Sequence, residues 1–137
     1  QMIDLVSRDQ THTQEALEGF KQLINRFPKS QFVENAKIKR EECVLKLAQN
    51  VLEIGRFYYR TGSYQSAINR LKSLIVDHPK QQFLDEATFL IAESYYHEQN
   101  FGEALALYRQ LLKKYPSSRF KLKVKERLRA LRRQSAL

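Results

Sequence analysis

The sequence predicts an all-α fold, a helical solenoid built from antiparallel helix pairs. The chain of 137 residues contains only four glycines and three prolines, a scarcity that favours long helices over loop-rich β structure. The prolines at positions 28, 79 and 116 all stand in one phrase, Pro-x-x-x-Phe. Because proline clashes with the preceding helical turn, each phrase is expected to end one helix, and its phenylalanine to anchor the next.

The residues before each proline repeat at fixed distances. An alanine lies twelve residues before it, a bulky apolar residue eight before and a leucine five before. The three sets are Ala16, Phe20 and Leu23; Ala67, Leu71 and Leu74; and Ala104, Tyr108 and Leu111. These offsets share one side of a helix, so their recurrence indicates a repeat array and not a catalytic signature.

A second set of matches lies further upstream in the last two copies. These residues are Ile54, Gly55 and Tyr58 in one copy and Ile91, Ala92 and Tyr95 in the next. The pattern resembles the tetratricopeptide repeat (TPR), a helix–turn–helix unit of about 34 residues. Val51 and Thr88 stand where that repeat opens with tryptophan. The resemblance implies that small residues at 55 and 92 let a neighbouring helix approach closely.

One spacing in the array is irregular. Pro28 and Pro79 are 51 positions apart, whereas Pro79 and Pro116 are 37 apart. The extra residues contain no glycine or proline and keep a helical rhythm, so we expect one extended helix over about residues 31–60. The chain is then a single TPR domain, 1–137, and we expect it to be a fragment of a longer protein. Its parts are a partial repeat (1–30), a long-helix repeat (31–79), a repeat (80–116) and a basic C-terminal capping helix (117–137).

The net charge of +9 is concentrated at the C-terminal end, where residues 121–137 hold seven basic residues and one acidic residue. This basic tail consists of Lys121, Lys123, Lys125, Arg127, Arg129, Arg132 and Arg133. It could contact an anionic surface or remain the solvated face of a cap. The sequence has no motif of a known nucleic-acid module, so no nucleic acid is expected. It also has no apolar run long enough to span a membrane.

The chemistry-bearing residues do not form a catalytic or metal-binding pattern. The three histidines are far apart, and no phosphate-binding loop or nucleophile motif is present. Adjacent carboxylate pairs, such as Glu41 and Glu42, point to different sides of a helix. We therefore expect a protein that is not an enzyme and that has no cofactor or metal.

Several segments together resemble the C-terminal half of the BamD family, the TPR lipoproteins of the bacterial outer-membrane β-barrel assembly machinery. The segments are "RDQTHTQEAL", "FPKSQFVENAK", "GRFYYRTGSYQSAINRL" and "DHP". The resemblance covers about residues 4–116, although Gln10 stands where the family usually has proline. It implies a scaffold on the periplasmic side of the outer membrane. That scaffold would be attached to the membrane only through a lipid anchor, which is absent from this chain. Its protein partners would be the POTRA domain of BamA and other lipoproteins of the assembly machinery.

The repeat positions also predict a partner-binding groove. Its expected residues on the first helices of the repeats are Gln49, Leu52, Arg56, Tyr59, Arg60, Glu86, Phe89, Glu93, Tyr96 and His97. Tyr59 and Tyr96 could instead pack between repeats. The resemblance implies that Asn69 and Arg70 lie on the BamA-docking side, with Arg70 forming a salt bridge to the partner. The alternative is a solvated surface arginine.

Two other functions remain open at this point. The phrase "YPSS" is shared with another periplasmic TPR adaptor, the Tol–Pal-associated cell-division coordinator. The extended helix favours the BamD family over that adaptor. The second alternative is a basic lipid- or nucleic-acid-surface binder acting through residues 118–137.

Overall fold

A computed structural model describes the backbone of residues 2–135 and the side chains from Arg8 to Ser135. The described residues form six α-helices and no strand. They are α1 (Met2–Arg26), α2 (Val33–Arg60), α3 (Tyr64–Asp77), α4 (Leu84–His97), α5 (Phe101–Lys114) and α6 (Lys121–Ser135). The all-α TPR-like class, the extended helix and the C-terminal helix are therefore confirmed. Helices α1, α3 and α5 each end two residues before a proline, as the sequence predicts.

The three Pro-x-x-x-Phe links adopt the same backbone turn. In each link, the second residue after proline donates its amide to the carbonyl of the residue before proline. These bonds join Ser30 to Phe27 at 3.0 Å, Gln81 to His78 at 3.3 Å and Ser118 to Tyr115 at 3.0 Å. The links therefore share one conformation as well as one sequence phrase.

The turns inside the two helix pairs are also equivalent. Gly62 follows α2 with φ of 80°, and Gln99 follows α4 with φ of 64°. The next amide closes each turn, from Ser63 to the Tyr58 carbonyl and from Asn100 to the Tyr95 carbonyl, both at 2.9 Å. This left-handed closure favours glycine, so Gln99 adopts a backbone conformation that Gly62 adopts without a steric cost.

The chain forms two compact units, one ending at Val51 and the other beginning at Leu52. The buried residues of the first unit are Thr13, Val33, Ala36, Leu47 and Ala48. Helix α1 begins at Met2 and runs unbroken to Arg26, because residues 2–12 include no glycine or proline to interrupt it. The first copy of the repeat pattern is only partly covered. Ala16 is exposed, Phe20 and Leu23 are half-buried, and Phe32 is 59% exposed instead of anchoring α2.

The second unit contains the main core. The repeat positions of the second and third copies are all fully buried, namely Ala67, Leu71, Leu74, Ala104, Tyr108 and Leu111. Helix α4 packs against α3 and α5, and α6 packs against α5. Phe120 stacks on Phe89 with ring centroids 4.5 Å apart, so the third Pro-x-x-x-Phe link does anchor its helix. No helix among the described residues is both long and apolar enough to cross a bilayer.

Candidate partner-binding surface

Arg56 and Glu86, two of the predicted groove residues, form an ion pair between α2 and α4. Arg56 Nη2 donates to Glu86 Oε1 at 2.6 Å, and Arg56 Nε donates to Glu86 Oε2. Arg119 Nη2 donates to the same Oε1 at 2.9 Å. The hydrogen bond to Glu86 raises the pKa of Arg56 above its ordinary value, despite the opposing effect of burial. The charge of Arg56 is therefore already compensated within the fold.

Glu93 makes a second, deeper ion pair further along α4. Its side chain is 3% exposed and accepts two hydrogen bonds from Arg127, at Nε and Nη2, each of 2.9 Å. The Tyr108 hydroxyl donates to the same carboxylate. Burial raises the pKa of Glu93, but the hydrogen bonds from Arg127 and Tyr108 outweigh it, so its pKa lies below the ordinary value. Glu93 therefore joins α4 to both α5 and α6.

Arg127 belongs to this ion pair and not to the outer face of the basic tail. Its guanidinium carbon also lies 4.2 Å from the centre of the Tyr96 ring, a cation–π contact. Sequence reasoning placed Glu93 in the groove and Arg127 in the tail without joining them. The signal was available, because the two residues are 34 positions apart, close to the 37-residue spacing of Pro79 and Pro116. Oppositely charged residues about one repeat apart, on helices that correspond in the array such as α4 and α6, are placed to meet across the stack.

An aromatic cluster closes the corner where α2, α3 and α4 meet. The Tyr59 hydroxyl lies 3.3 Å from His97 Nε2, and the ring of Tyr64 stacks on His97 at 5.1 Å. Burial raises the pKa of Tyr59 to about 12. Tyr96 packs edge-on against Phe101 with centroids 5.5 Å apart. Tyr59 and Tyr96 thus have packing roles, and their part in partner binding stays a prediction, as does that of His97.

Three other predicted residues lie near and on α3, outside these ion pairs and the aromatic cluster. Arg60, Asn69 and Arg70 are all exposed. Asn69 Oδ1 accepts a hydrogen bond from Gln65 at 3.3 Å. The guanidinium of Arg70 makes no ion pair within the part of the chain that the structure describes. The charge of Arg70 is therefore not compensated by an ion pair among the described residues, and its part in partner binding stays a prediction.

Helix α6 has one buried side and one basic side. Val124 and Leu131 are buried, which fits the predicted cap. The exposed basic residues are Lys121, Lys123, Lys125, Arg129, Arg132 and Arg133, of which Lys123 pairs with Glu126 at 3.6 Å. Leu122 lies among them and is 75% exposed. Binding of an anionic surface by this side stays a prediction.

Comparison with known proteins adds a family and several relatives. The family described as outer membrane lipoprotein, YfiO, matches residues 1–102. A protein of Caulobacter vibrioides named outer membrane protein assembly factor BamD is 33% identical over 95 residues, which cover 69% of this chain and 31% of that protein. The protein of the same name from Neisseria gonorrhoeae is 28% identical over 92 residues, covering 67% of this chain and 34% of its own length.

A longer match is found in Rickettsia prowazekii. Its outer membrane protein assembly factor BamD is 28% identical over 119 residues, covering 87% of this chain and 47% of that protein. The chain thus spans about a third to a half of the length of these relatives. Since the family match covers most of the 137 residues, this chain belongs to the YfiO family of outer membrane lipoproteins.

Proposed function

We propose that this chain is part of a non-catalytic scaffold for the assembly of outer-membrane β-barrel proteins. The observation that carries the proposal is its membership of the YfiO family, whose relatives here are named outer membrane protein assembly factor BamD. The stacked helices of the second unit suit a scaffold, because such arrays present extended surfaces to other proteins. The family match supports this function over the Tol–Pal-associated adaptor.

The proposed location follows from the family description. A lipoprotein of the outer membrane that serves barrel assembly would work on the periplasmic side, held by a lipid on the full-length protein. Its partners would be BamA, through the periplasmic POTRA domain, and other lipoproteins of the same machinery. These partners belong to the proposal and come from the resemblance of the sequence to the BamD family.

The proposed contact with the POTRA domain is the exposed face of α3 that carries Asn69 and Arg70. Arg56 and Glu93 are poorer candidates because each is held by an internal ion pair. Arg70 is exposed and without an ion pair among the described residues, so an acidic group on a partner would gain a full charge interaction. An arginine can also bind a carboxylate through two parallel hydrogen bonds.

Calorimetric titration of the chain with the POTRA region of BamA from the same organism tests the proposal. We expect saturable binding that weakens at higher salt, and a loss of about tenfold or more in affinity for Arg70→Glu. Lys113→Glu is the matched control, because Lys113 is an exposed cation on α5. It makes the same charge reversal away from the proposed contact.

Two results would count against this function. A chain that is folded by circular dichroism but does not bind the POTRA region would contradict BamA docking. Equal losses from Arg70→Glu and Lys113→Glu would show that only net charge matters, and would remove the α3 face from the proposal.

A further inference from the structure

The last two helices that the structure describes, α5 and α6, repeat α3 and α4 with an offset of 37 residues. Pro79 and Pro116 differ by this number, and α3 and α4 correspond to α5 and α6. Positions can therefore be compared between an inner pair, α3 with α4, and an outer pair, α5 with α6. The inner pair is followed by a packed helix, because α5 lies against α4. No helix follows the outer pair within the described residues.

The apolar positions of the two pairs differ in how well they are covered. Ile68 and Ile91 in the inner pair are each 1% exposed. Their counterparts in the outer pair are Leu105 and Leu128, which are only half-buried. Together with Phe101 and Leu131 these leucines line an open groove of about 570 Å³ between α5 and α6. The α5–α6 groove therefore exposes apolar surface to water, whereas the corresponding surface of the inner pair is buried.

The rim of the α5–α6 groove differs in charge from the inner pair. In the inner pair Lys72 Nζ donates to the Tyr95 hydroxyl at 2.7 Å. The corresponding residues at the groove are Arg109 and Arg132, which are both exposed cations. No carboxylate of the described residues lines the groove. Two arginines on the rim of an apolar groove favour an occupant that is apolar on one face and acidic beside it.

We propose that the α5–α6 groove binds one amphipathic helix of a separate protein, with Asp or Glu residues flanking its apolar stripe. Helix α5 shows what such an occupant needs, because it packs against α4 and buries Ala104, Tyr108 and Leu111 at helical spacing. The partner helix would supply a similar small–large–large stripe. Arg109 and Arg132 would select an acidic helix over a basic one. This inference does not depend on the proposed BamA contact, which lies on α3.

A peptide derived from α5 is the direct probe. It has the sequence of residues 100–115, with Arg109, Lys113 and Lys114 replaced by glutamate and a fluorophore at one end. The control peptide keeps the native basic residues. Fluorescence anisotropy with the whole chain should show saturable binding of the acidic peptide. Binding of the basic peptide should be weaker by about tenfold or more, since each rim arginine would repel it.

Charge reversal in the protein tests whether the groove is the site. The double variant Arg109→Glu with Arg132→Glu should lose affinity for the acidic peptide by about tenfold or more, and gain affinity for the basic peptide. Both residues are exposed, so the fold should persist. The matched control is Lys113→Glu with Arg129→Glu, two exposed cations outside the groove lining that change the net charge equally. It should change the affinity by less than about threefold, as screened distant charges do.

Three results would overturn the proposal. The first is an acidic peptide that does not bind the folded chain. The second is an equal loss of affinity for the acidic peptide in the groove variant and in its control, which would mean that only the net charge of the protein matters. The third is concentration-dependent dimerisation, measured by sedimentation, that the groove variant abolishes, because the occupant would then be a second copy of this chain.

Discussion

At the scale of single residues, the carboxylate of Glu93 ties three helices together in the second unit. Glu93→Gln should lower the free energy of unfolding by about 2–4 kcal/mol, because Arg127 would lose its counter-charge in a half-buried site. Urea unfolding followed by circular dichroism measures the change. Glu103→Gln, at an exposed position on α5, is the control and should stay within about 0.5 kcal/mol of the wild type. A Glu93→Gln protein as stable as this control would show that the ion pair contributes nothing.

The same residue should make stability depend on acid pH. The pKa of Glu93 is lower in the folded protein than its ordinary value, so its ionised form stabilises the folded state above the unfolded-state pKa of about 4.3. That contribution is lost as the pH falls through the folded-state pKa. The stability gap between wild type and Glu93→Gln should therefore shrink from pH 7 towards pH 3. A gap that stays constant over this range would contradict the assigned ion pair.

At the scale of helices, α2 and α3 approach each other closely at Gly55. A Cβ atom at this position would lie 2.6 Å from Leu71 Cγ, and Leu71 is fully buried. Gly55→Ala should therefore destabilise the protein by about 1–3 kcal/mol, although alanine favours helix by about 1 kcal/mol over glycine. The shift of the urea unfolding midpoint measures this cost.

Gly102 on α5 is the matched control for Gly55. Nothing lies within 4 Å of a Cβ built there, so only the helix propensity of alanine remains. Gly102→Ala should be neutral or stabilising by up to about 1 kcal/mol. Opposite signs for the two substitutions would confirm the helix contact. Stabilisation by Gly55→Ala would mean that α2 and α3 lie further apart than this contact requires.

The ends of the helices were predictable because they depend on local chemistry. Proline disfavours the helical conformation of the residue before it, and the extended helix expected over 31–60 is found at Val33–Arg60. Whether an apolar residue is covered depends on a second helix and is not local. Phe120 and Phe32 occupy the same place in the repeated phrase, yet Phe120 stacks on Phe89 while Phe32 is 59% exposed.

The candidate site was predictable only in part, for the same reason. Repeat phase assigned Arg56 and Glu93 to the first helices of successive repeats, but it did not show that each meets an opposite charge. Ion pairing depends on the distance between two helices and on their relative shift along the helix axis. The repeat phase of a single helix gives neither quantity. Arg127 was grouped with the tail since its neighbours in sequence are basic. Only its separation from Glu93 along the sequence distinguishes Arg127 from Lys125 or Arg129, which are exposed.

At the scale of the whole molecule, α6 combines a structural cap with a basic outer surface. The buried side carries Val124 and Leu131, and Arg127 reaches back to Glu93. The outer side carries cations on successive turns, with Leu122 exposed among them. These two sides use different residues, so substitutions on the basic side can test for anion binding without removing the buried contacts.

Removing α6 should therefore destabilise the protein, whereas neutralising its outer side should not. A chain ending at Ser118 loses the buried Val124 and Leu131, the stack of Phe120 on Phe89 and the Glu93 ion pair, and should be less stable by about 4 kcal/mol or more. A variant of the whole 137-residue chain with glutamine at Lys121, Lys125, Arg129 and Arg133 should unfold within about 1 kcal/mol of the wild type. Urea unfolding of the three proteins gives both values.

Co-sedimentation with anionic phosphatidylglycerol vesicles then isolates the surface role in the folded variant. If the basic side contacts anionic surfaces, vesicle binding should fall with rising salt and should be lost in the glutamine variant. If the wild-type protein does not sediment with the vesicles, the basic side of α6 does not bind an anionic lipid surface. The role of α6 as a cap would then remain. If the chain ending at Ser118 is as stable as the 137-residue chain, the capping role of α6 is contradicted. Its packing would then contribute nothing to the free energy of unfolding.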